Sequence, residues 1–310
     1  MTEPHSPPPR IAVVLCTMNG AEYLRAQLDS IAAQTMPPAL IVVSDDGSTD
    51  GTEAIVDAFA ADWTGTIIRR AGPRRGYAAN FLGAIGAVPE TDYLALSDQD
   101  DVWYPDKLAR AVAALEPLPG PALYGAATRV CDRDLTRRSL SRITRVPLTF
   151  RHALTQNFAG GNTMVLNASA LRIVQAAARL DLAVPVHDWF LYQLVTGAGG
   201  TALFDPVPCL DYRQHASNQI GDAAGLGALA HRMRRMVRGD YRVWMDANLA
   251  ALTAAADLLS PDARALLARV RHARDAVLSE RLSLMRDAGL YRQGALGQLG
   301  LAGALLLRRF

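Results

Sequence analysis

The sequence predicts an α/β fold, a largely parallel sheet flanked by helices, and three observations carry the prediction. Short apolar, β-branched runs alternate with helical periodicity through the first hundred residues, the pattern of successive βα units. Turn formers and acids follow those runs instead of interrupting them, as at the carboxyl ends of strands in open α/β sheets. The last third of the chain is almost wholly helical in character, rich in alanine, leucine and arginine.

Residues 11–16 (IAVVLC) read as a buried strand, because an unbroken β-branched run suits a parallel strand covered on both faces. Tyr23, Leu24, Leu28 and Ile31 then recur at three- and four-residue spacing, a helix that ends before Pro37 and Pro38. Residues 40–44 are a second strand, followed by the turn-rich DDGSTDGT and a helix over about 52–61. Strands over 66–69 and 93–97 continue the alternation, with a helix around 78–87 between them. After Asp106 come a helix to residue 115, an apolar strand near 123–130 and a polar, arginine-rich loop over 131–147. A strand over 163–166 leads through Asn167 into a helix over 168–178. Pro261 suits the first turn of one of the later helices. The expected division is a loose arm over 1–10, a catalytic-sized domain over 11–220 and a helical region over 221–310, with no internal repeat.

The 310 residues are half hydrophobic and one-fifth charged, and 32 basic against 30 acidic side chains leave a net charge of +2. That balance excludes a disordered tail, a collagen-like fibre and a charged nucleic-acid coat, so nucleic acid is not an expected partner. Three cysteines, Cys16, Cys131 and Cys209, are odd in number and lack the paired spacing of a zinc site or disulfide framework. With no cationic, apolar leader at the start, a cytoplasmic protein is expected. The most apolar stretch, residues 296–307, is too short for a helix crossing a bilayer of about 30 Å. Lys107 is the only lysine, which reads as a composition effect. Arg69, Arg70, Arg74 and Arg75 flank one loop, while Arg232, Arg234, Arg235, Arg238 and Arg242 read as a solvated helix face.

Acids crowd the ends of two strands. Asp45 and Asp46 follow the second, and Asp98, Asp100 and Asp101 follow the fourth, in LALSDQDDVW. Unpaired buried carboxylates cost several kcal/mol each. A hard divalent cation that leaves coordination places for substrate phosphates relieves that cost. Both segments also fit a bland reading, a turn in DDGSTDGT and helix caps at either.

Five segments in order, VVLCTMNGAEYLRAQLDSIAAQ with VVSDDGSTDGT, LALSDQDDVWYPDKL, FAGGNTMVLN, VHDWFLYQLV and DYRQHASNQIG, resemble the nucleotide-diphosphosugar glycosyltransferases of family 2. They are especially similar to bacterial rhamnosyltransferase-like members that build surface polysaccharides. The resemblance spans about residues 10–221 and implies a GT-A fold, a Rossmann-like mixed sheet flanked by helices, with a C-terminal helical extension.

The resemblance also implies roles. Thr17, Met18, Asn19 and Glu22 match the segment that approaches the nucleotide, Asp46 the residue that recognises the pyrimidine, with Asp45 beside it, and Asn80 a further donor contact. Asp98, Gln99 and Asp100 form the DxD motif, with Asp100 a direct ligand of Mn²⁺ or Mg²⁺, Asp98 facing the ribose or metal-bound water, and Asp101 a weaker candidate. His215 joins the metal. Asp188 matches the catalytic base, taking the proton of the acceptor hydroxyl in one inverting displacement. Gly160, Gly161, Asn162, His187 and Trp189 lie on the acceptor side. One departure stands out: Ala79 occupies a place before Asn80 where many relatives carry a basic residue, which shifts pyrophosphate contact to Arg74, Arg75 or the metal.

The implied activity is transfer of a sugar, L-rhamnose from dTDP-L-rhamnose, to a hydroxyl of a glycan or lipid-linked glycan. A family 2 hexosyltransferase using a UDP-sugar is the alternative. A sugar nucleotidyltransferase ranks lower, because CTMNGA is not a glycine-rich phosphate loop, and so does an inactive nucleotide-sugar-binding scaffold, against which Asp46, Asp98, Asp100 and Asp188 argue. The apolar segment 296–310, ending in an arginine pair, suits contact at a membrane surface, packing on the catalytic domain or a homodimer contact.

Overall fold

The computed structural model describes residues 7–136, 138–215 and 240–310. Seven strands form a central sheet: β1 (Ile11–Thr17), β2 (Leu40–Asp45), β3 (Thr66–Ala71), β4 (Tyr93–Ser97), β6 (Ala122–Ala126), β9 (Val165–Asn167) and β10 (Thr201–Asp205). Their spatial order is β10-β6-β9-β4-β1-β2-β3. All neighbours run parallel except β9, which lies antiparallel between β4 and β6 and makes the sheet mixed. A smaller sheet, in the order β5-β11-β7-β8, joins β5 (Val102–Trp103), β7 (Arg129–Cys131), β8 (Arg138–Leu140) and β11 (Leu210–Arg213).

The expected strand over 123–130 is two strands. The chain leaves the central sheet after Ala126 and enters the small one at Arg129. The loop expected over 131–147 contains β8. The strand expected over 163–166 begins at Val165, because Gly161–Thr163 form a 3-10 turn in front of it.

Alternation along the strands splits their side chains between two cores. Ala12, Val14 and Cys16 pack with α3 (Tyr77–Gly86), α6 (Ala168–Ala178) and α7 (His187–Gly197). Ile11, Val13 and Leu15 face the opposite way, toward α1 (Leu24–Ala32), α2 (Thr52–Asp62) and α4 (Lys107–Leu115). At about 1.5–3 kcal/mol for each fully buried aliphatic side chain, this double coverage is what a run such as IAVVLC encodes.

Asn167 starts α6: its Oδ1 accepts from the Ala170 N–H at 3.0 Å and also from the Ala122 N–H at 3.0 Å, tying the helix start to β6. The short α5 (Phe150–Ala153) is capped by Thr149. Beyond residue 239 the chain is helical: α8 (Asp240–Ala254), α9 (Pro261–Ala273), α10 (Leu278–Arg286) and α11 (Gly294–Leu306). Ser260 caps α9 and Pro261 takes its first turn, as the sequence leads one to expect. Met245, Leu249, Leu267, Leu301 and Phe310 belong to the same hydrophobic core as Phe81, Trp189 and Phe190. Arg242 donates to Asp275 at 2.7 Å, a packing role. The boundary expected near 220 and the arginines at 232, 234, 235 and 238 lie outside the described residues. No described helix is long and apolar enough to cross a membrane.

Candidate active site

A cleft of about 1550 Å³ opens where β1, β2 and β4 end, bounded on its far side by α7 and the 3-10 turn. Its floor is two loops stitched together by hydrogen bonds. The amides after β1 are all occupied: Met18 N–H donates to Gln99 Oε1 at 2.8 Å, Asn19 to Ser48 Oγ at 2.8 Å, Gly20 to Thr52 Oγ1 at 2.9 Å and Ala21 to Asp50 Oδ2 at 3.0 Å. With its donors engaged, this loop has no row of free N–H groups to cradle a phosphate, which removes the physical basis of a nucleotidyltransferase-type phosphate loop. Asn19 holds a left-handed backbone (φ 49°), a conformation asparagine tolerates, and its Oδ1 accepts from Thr49 N–H. A Cβ at Gly20 would lie 2.3 Å from Gln99 Oε1, so any larger residue there would have to displace the Gln99 side chain.

DDGSTDGT is a turn, with Gly47 and Gly51 both at positive φ, and it also borders the cleft. Its two leading acids part company. Asp46 lines the cleft and accepts from the backbone N–H of Arg74 at 2.6 Å and of Gly76 at 3.2 Å. Asp45, expected at the nucleotide, does not reach the cleft. Its carboxylate accepts from Thr17 Oγ1, Ser48 Oγ and the Gly47 and Ser48 amides. Burial raises its pKa, but these bonds outweigh it and hold the carboxyl below its ordinary value. Thr17 is thereby engaged in the same anchor. Asn80 also serves the framework, exchanging bonds with Ser44, while its edge borders the cleft. Arg75 turns away to Asp181 at 2.5 Å, leaving Arg74 as the one of the pair beside the cleft. Glu22 sits at the rim in an ion pair with Arg133.

The acidic segment precedes β5, so it caps no helix. Gln99 fixes it to the first loop, its Nε2 donating to Met18 O at 3.0 Å. Asp100 Oδ2 lies 2.8 Å from His215 Nε2. Asp98 lines the cleft beside them, and burial, then the charges of Asp100 and Asp188, push its pKa up to about 7. Among the described residues no three His, Cys, Asp or Glu side chains converge on one point. The donor set therefore suits a cation held by one carboxylate, Asp100, and a histidine, His215, with further places filled by substrate oxygens. Asp98, costly to ionise as it stands, is the observation that fits such a charge. Asp101 is fully buried below, held at 2.6 Å by Asn162 Nδ2 with its other oxygen unpartnered, and burial raises its carboxyl well above the usual range.

The opposite wall carries Asp188 in the first turn of α7. Oδ1 accepts from the Trp189 N–H at 2.6 Å and Oδ2 from the Gly161 N–H at 2.9 Å, so both oxygens are fixed. Burial raises its pKa to about 6 against those bonds. A Cβ at Gly161 would lie 2.5 Å from His187 Nε2 and 3.3 Å from Asp188 Cβ, so the backbone here closely approaches these two side chains while it also borders the cleft. Gly160 and Asn162 border the cleft beside it. His187 stacks on Phe81 at 4.0 Å between ring centroids, and burial holds it down to about 3, a neutral imidazole. Trp189 borders the cleft and donates Nε1 to Ala153 O at 2.7 Å.

Three contributors escape the sequence reading. Arg142, from the polar loop, and Trp244, from α8, line the cleft, the latter linking the helical extension to the site. Lys107 is fully buried under the acidic segment, where burial lowers its ammonium to about 8; its being the only lysine, four residues after the acids' Trp103, was the available signal.

This arrangement of acids beyond β2 and β4 coincides with a family model, Glycosyl transferase family 2, that matches residues 12–179. The chain belongs to glycosyl transferase family 2. This glycosyltransferase is similar to the dTDP-rhamnosyl transferase RfbG of Shigella flexneri, 28% identical over 215 residues that cover 67% of this chain and 73% of RfbG. It is also 28% identical over 262 residues to the uncharacterised protein Rv1520 of Mycobacterium tuberculosis, covering 76% of this chain and 73% of that one. Among solved structures, S. aureus TarS 1-349 in complex with UDP-GlcNAc superposes with a TM-score of 0.54 over 91% of this transferase and 93% of TarS, at 15% identity, a likeness of fold.

Proposed function

We propose that the transferase is inverting and cation-dependent, moving L-rhamnose from dTDP-L-rhamnose to a hydroxyl of a glycan or lipid-linked glycan in cell-surface polysaccharide assembly. The observation that carries this reading is the pairing of walls across one cleft. Asp98, Asp100 and His215 line one side, and Asp188, fixed by two backbone N–H groups with its pKa near 6, lines the other. Similarity to RfbG supports the choice of sugar.

Asp100 and His215 would hold the cation, with Asp98 beside it. When bound, the cation supplies Lewis-acid stabilisation of the departing diphosphate. Asp46 and the Thr17–Asn19 segment border the base and ribose. Asp188, ionised above about pH 6, accepts the proton of the acceptor hydroxyl as that oxygen attacks the anomeric carbon. Among the described residues Asp188 is the carboxylate that lines that wall, which supports one displacement with inversion rather than a glycosyl-enzyme.

The test is nucleotide diphosphate release by the full chain with Mn²⁺ or Mg²⁺, using dTDP-L-rhamnose beside UDP-sugars, with and without glycan acceptors. Release from dTDP-L-rhamnose that is lost in Asp100→Ala and in Asp188→Asn is expected. Release from a UDP-sugar alone replaces the rhamnosyl reading with a hexosyl one, and full turnover under chelator overturns the cation.

A further inference from the structure

Beneath the acidic segment lies a network that the proposed chemistry leaves unused. Lys107 opens α4 and is fully buried, with its ammonium 3.2 Å from the centroid of the Trp103 ring. It donates to the backbone carbonyl of Asn162 at 2.6 Å. The Asn162 side chain in turn donates to Asp101 Oδ2 at 2.6 Å, and Gly161, the residue before, donates its N–H to Asp188 Oδ2. An apolar side chain would fill the same space without the desolvation penalty of a buried ammonium, so what Lys107 adds is direction and charge rather than packing. The charge stands next to Asp101, whose second oxygen has no partner. The direction pins the Gly161–Thr163 turn from beneath.

We propose that Lys107 is a positioning residue that, with Asn162, clamps the Gly161–Thr163 turn to the acidic segment and so aims the Asp188 carboxylate into the cleft. The clamp joins the two walls of the site through protein atoms alone: Asp101 and Lys107 on one side, Asn162 in the middle, Gly161 and Asp188 on the other. Its catalytic consequence rests on Asp188 being the base. The clamp itself does not.

The experiment compares wild type, Lys107→Met, Asn162→Ala and Asp188→Asn as full chains, by amide hydrogen exchange resolved to peptides and by dTDP release from dTDP-L-rhamnose. Loss of the clamp opens the turn locally, so exchange over residues 160–164 and 187–190 is expected to rise at least about tenfold in the first two variants, with residues 11–17 unchanged. Release is expected to fall about 10- to 100-fold at an unchanged half-saturating donor concentration, the signature of a misplaced group rather than of lost binding. Wild-type exchange in folded Lys107→Met and in Asn162→Ala overturns the clamp. Should Lys107→Met fail to fold, Asn162→Ala decides, since it removes the link to Asp101 and keeps the carbonyl that Lys107 binds. Undiminished release by Asp188→Asn, with exchange raised in the other two, overturns the base and leaves the clamp. Release lost in Asp188→Asn but intact in Asn162→Ala overturns the coupling between them.

Discussion

Asp98 and Asp188 face one cleft, and burial holds both above the ordinary carboxyl range, to about 7 and about 6. Each folded-state value lies above the unfolded one, so the folded chain binds the proton more tightly. The stability this contributes is full below about pH 4 and is lost as pH rises toward 7. Asn cannot ionise and escapes that loss. Asp98→Asn is therefore expected to be about 1–3 kcal/mol more stable than wild type at pH 8 in chelator, with the gap closing at pH 4; thermal melts at the two values check it. For Asp188 as the proposed base, the same shift sets activity, since only the ionised form accepts a proton. The rate of transfer is expected to fall below an apparent pKa near 6, and Asp188→Asn to lose about 10²–10⁴-fold, which pH–rate profiles of the two proteins read directly. Residue types and their order made Asp46, Asp98, Asp100 and Asp188 readable as cleft residues. Asp45 was misread because a carboxylate pointing in and one pointing out look alike in a sequence, and only the Ser48, Thr17 and Gly47 donors distinguish them.

At the level of elements, β1, β2 and β4 were readable because each is buried along nearly its whole length and so shows as an apolar run, whereas β3, a largely exposed edge strand, was readable from its place in the alternation. β9 was expected over 163–166 but its antiparallel insertion between β4 and β6, which depends on partners far along the chain, was not, and β10 went unread. α7 hid for the opposite reason. All eleven of its residues are buried, so HDWFLYQLVTG shows no polar face and no helical period. Its first turn is where the site is least tolerant. Gly161→Ala would drive a Cβ into the His187 ring and against Asp188, displacing the N–H that holds Oδ2. A fall of about 10²-fold in transfer is expected with nucleotide diphosphate affinity retained, measured by turnover and calorimetry on the same preparation. Asn167→Ala removes a cap and the Ala122 tie together but lies away from the cleft, so about 1–2 kcal/mol of stability should go, seen as a lower urea midpoint, with the half-saturating donor concentration unmoved.

Across the whole molecule, the C-terminal helices are part of one core with the catalytic sheet. The last residue, Phe310, is 1% exposed and packs against Tyr241 at 6.2 Å, and Tyr241 stacks on Trp189 at 6.3 Å, next to Asp188. The sequence showed an apolar segment there but not that its two faces differ. Leu301, Ala304, Leu305 and Phe310 point into the core, whereas Leu296, Leu299, Leu306 and Leu307 are exposed beside Arg308, with no acid from residue 294 onward. Deleting the helix therefore cannot test whether it meets a membrane, because the same cut opens the core. Point substitutions separate the two. Phe310→Ala is expected to cost about 3–5 kcal/mol, visible as a lower urea midpoint, through the cavity it leaves. Leu296→Gln with Leu299→Gln should leave that midpoint within about 0.5 kcal/mol, since neither side chain is packed. If the exposed face rests on a lipid surface, as a lipid-linked acceptor would require, the double substitution should also weaken sedimentation with anionic phospholipid vesicles by about tenfold or more, with Phe310→Ala, assayed below its unfolding transition, sedimenting as wild type. Equal sedimentation of the double variant and wild type would assign those leucines to solvent or to another protein surface, and the acceptor would then be delivered to the cleft without the helix's help.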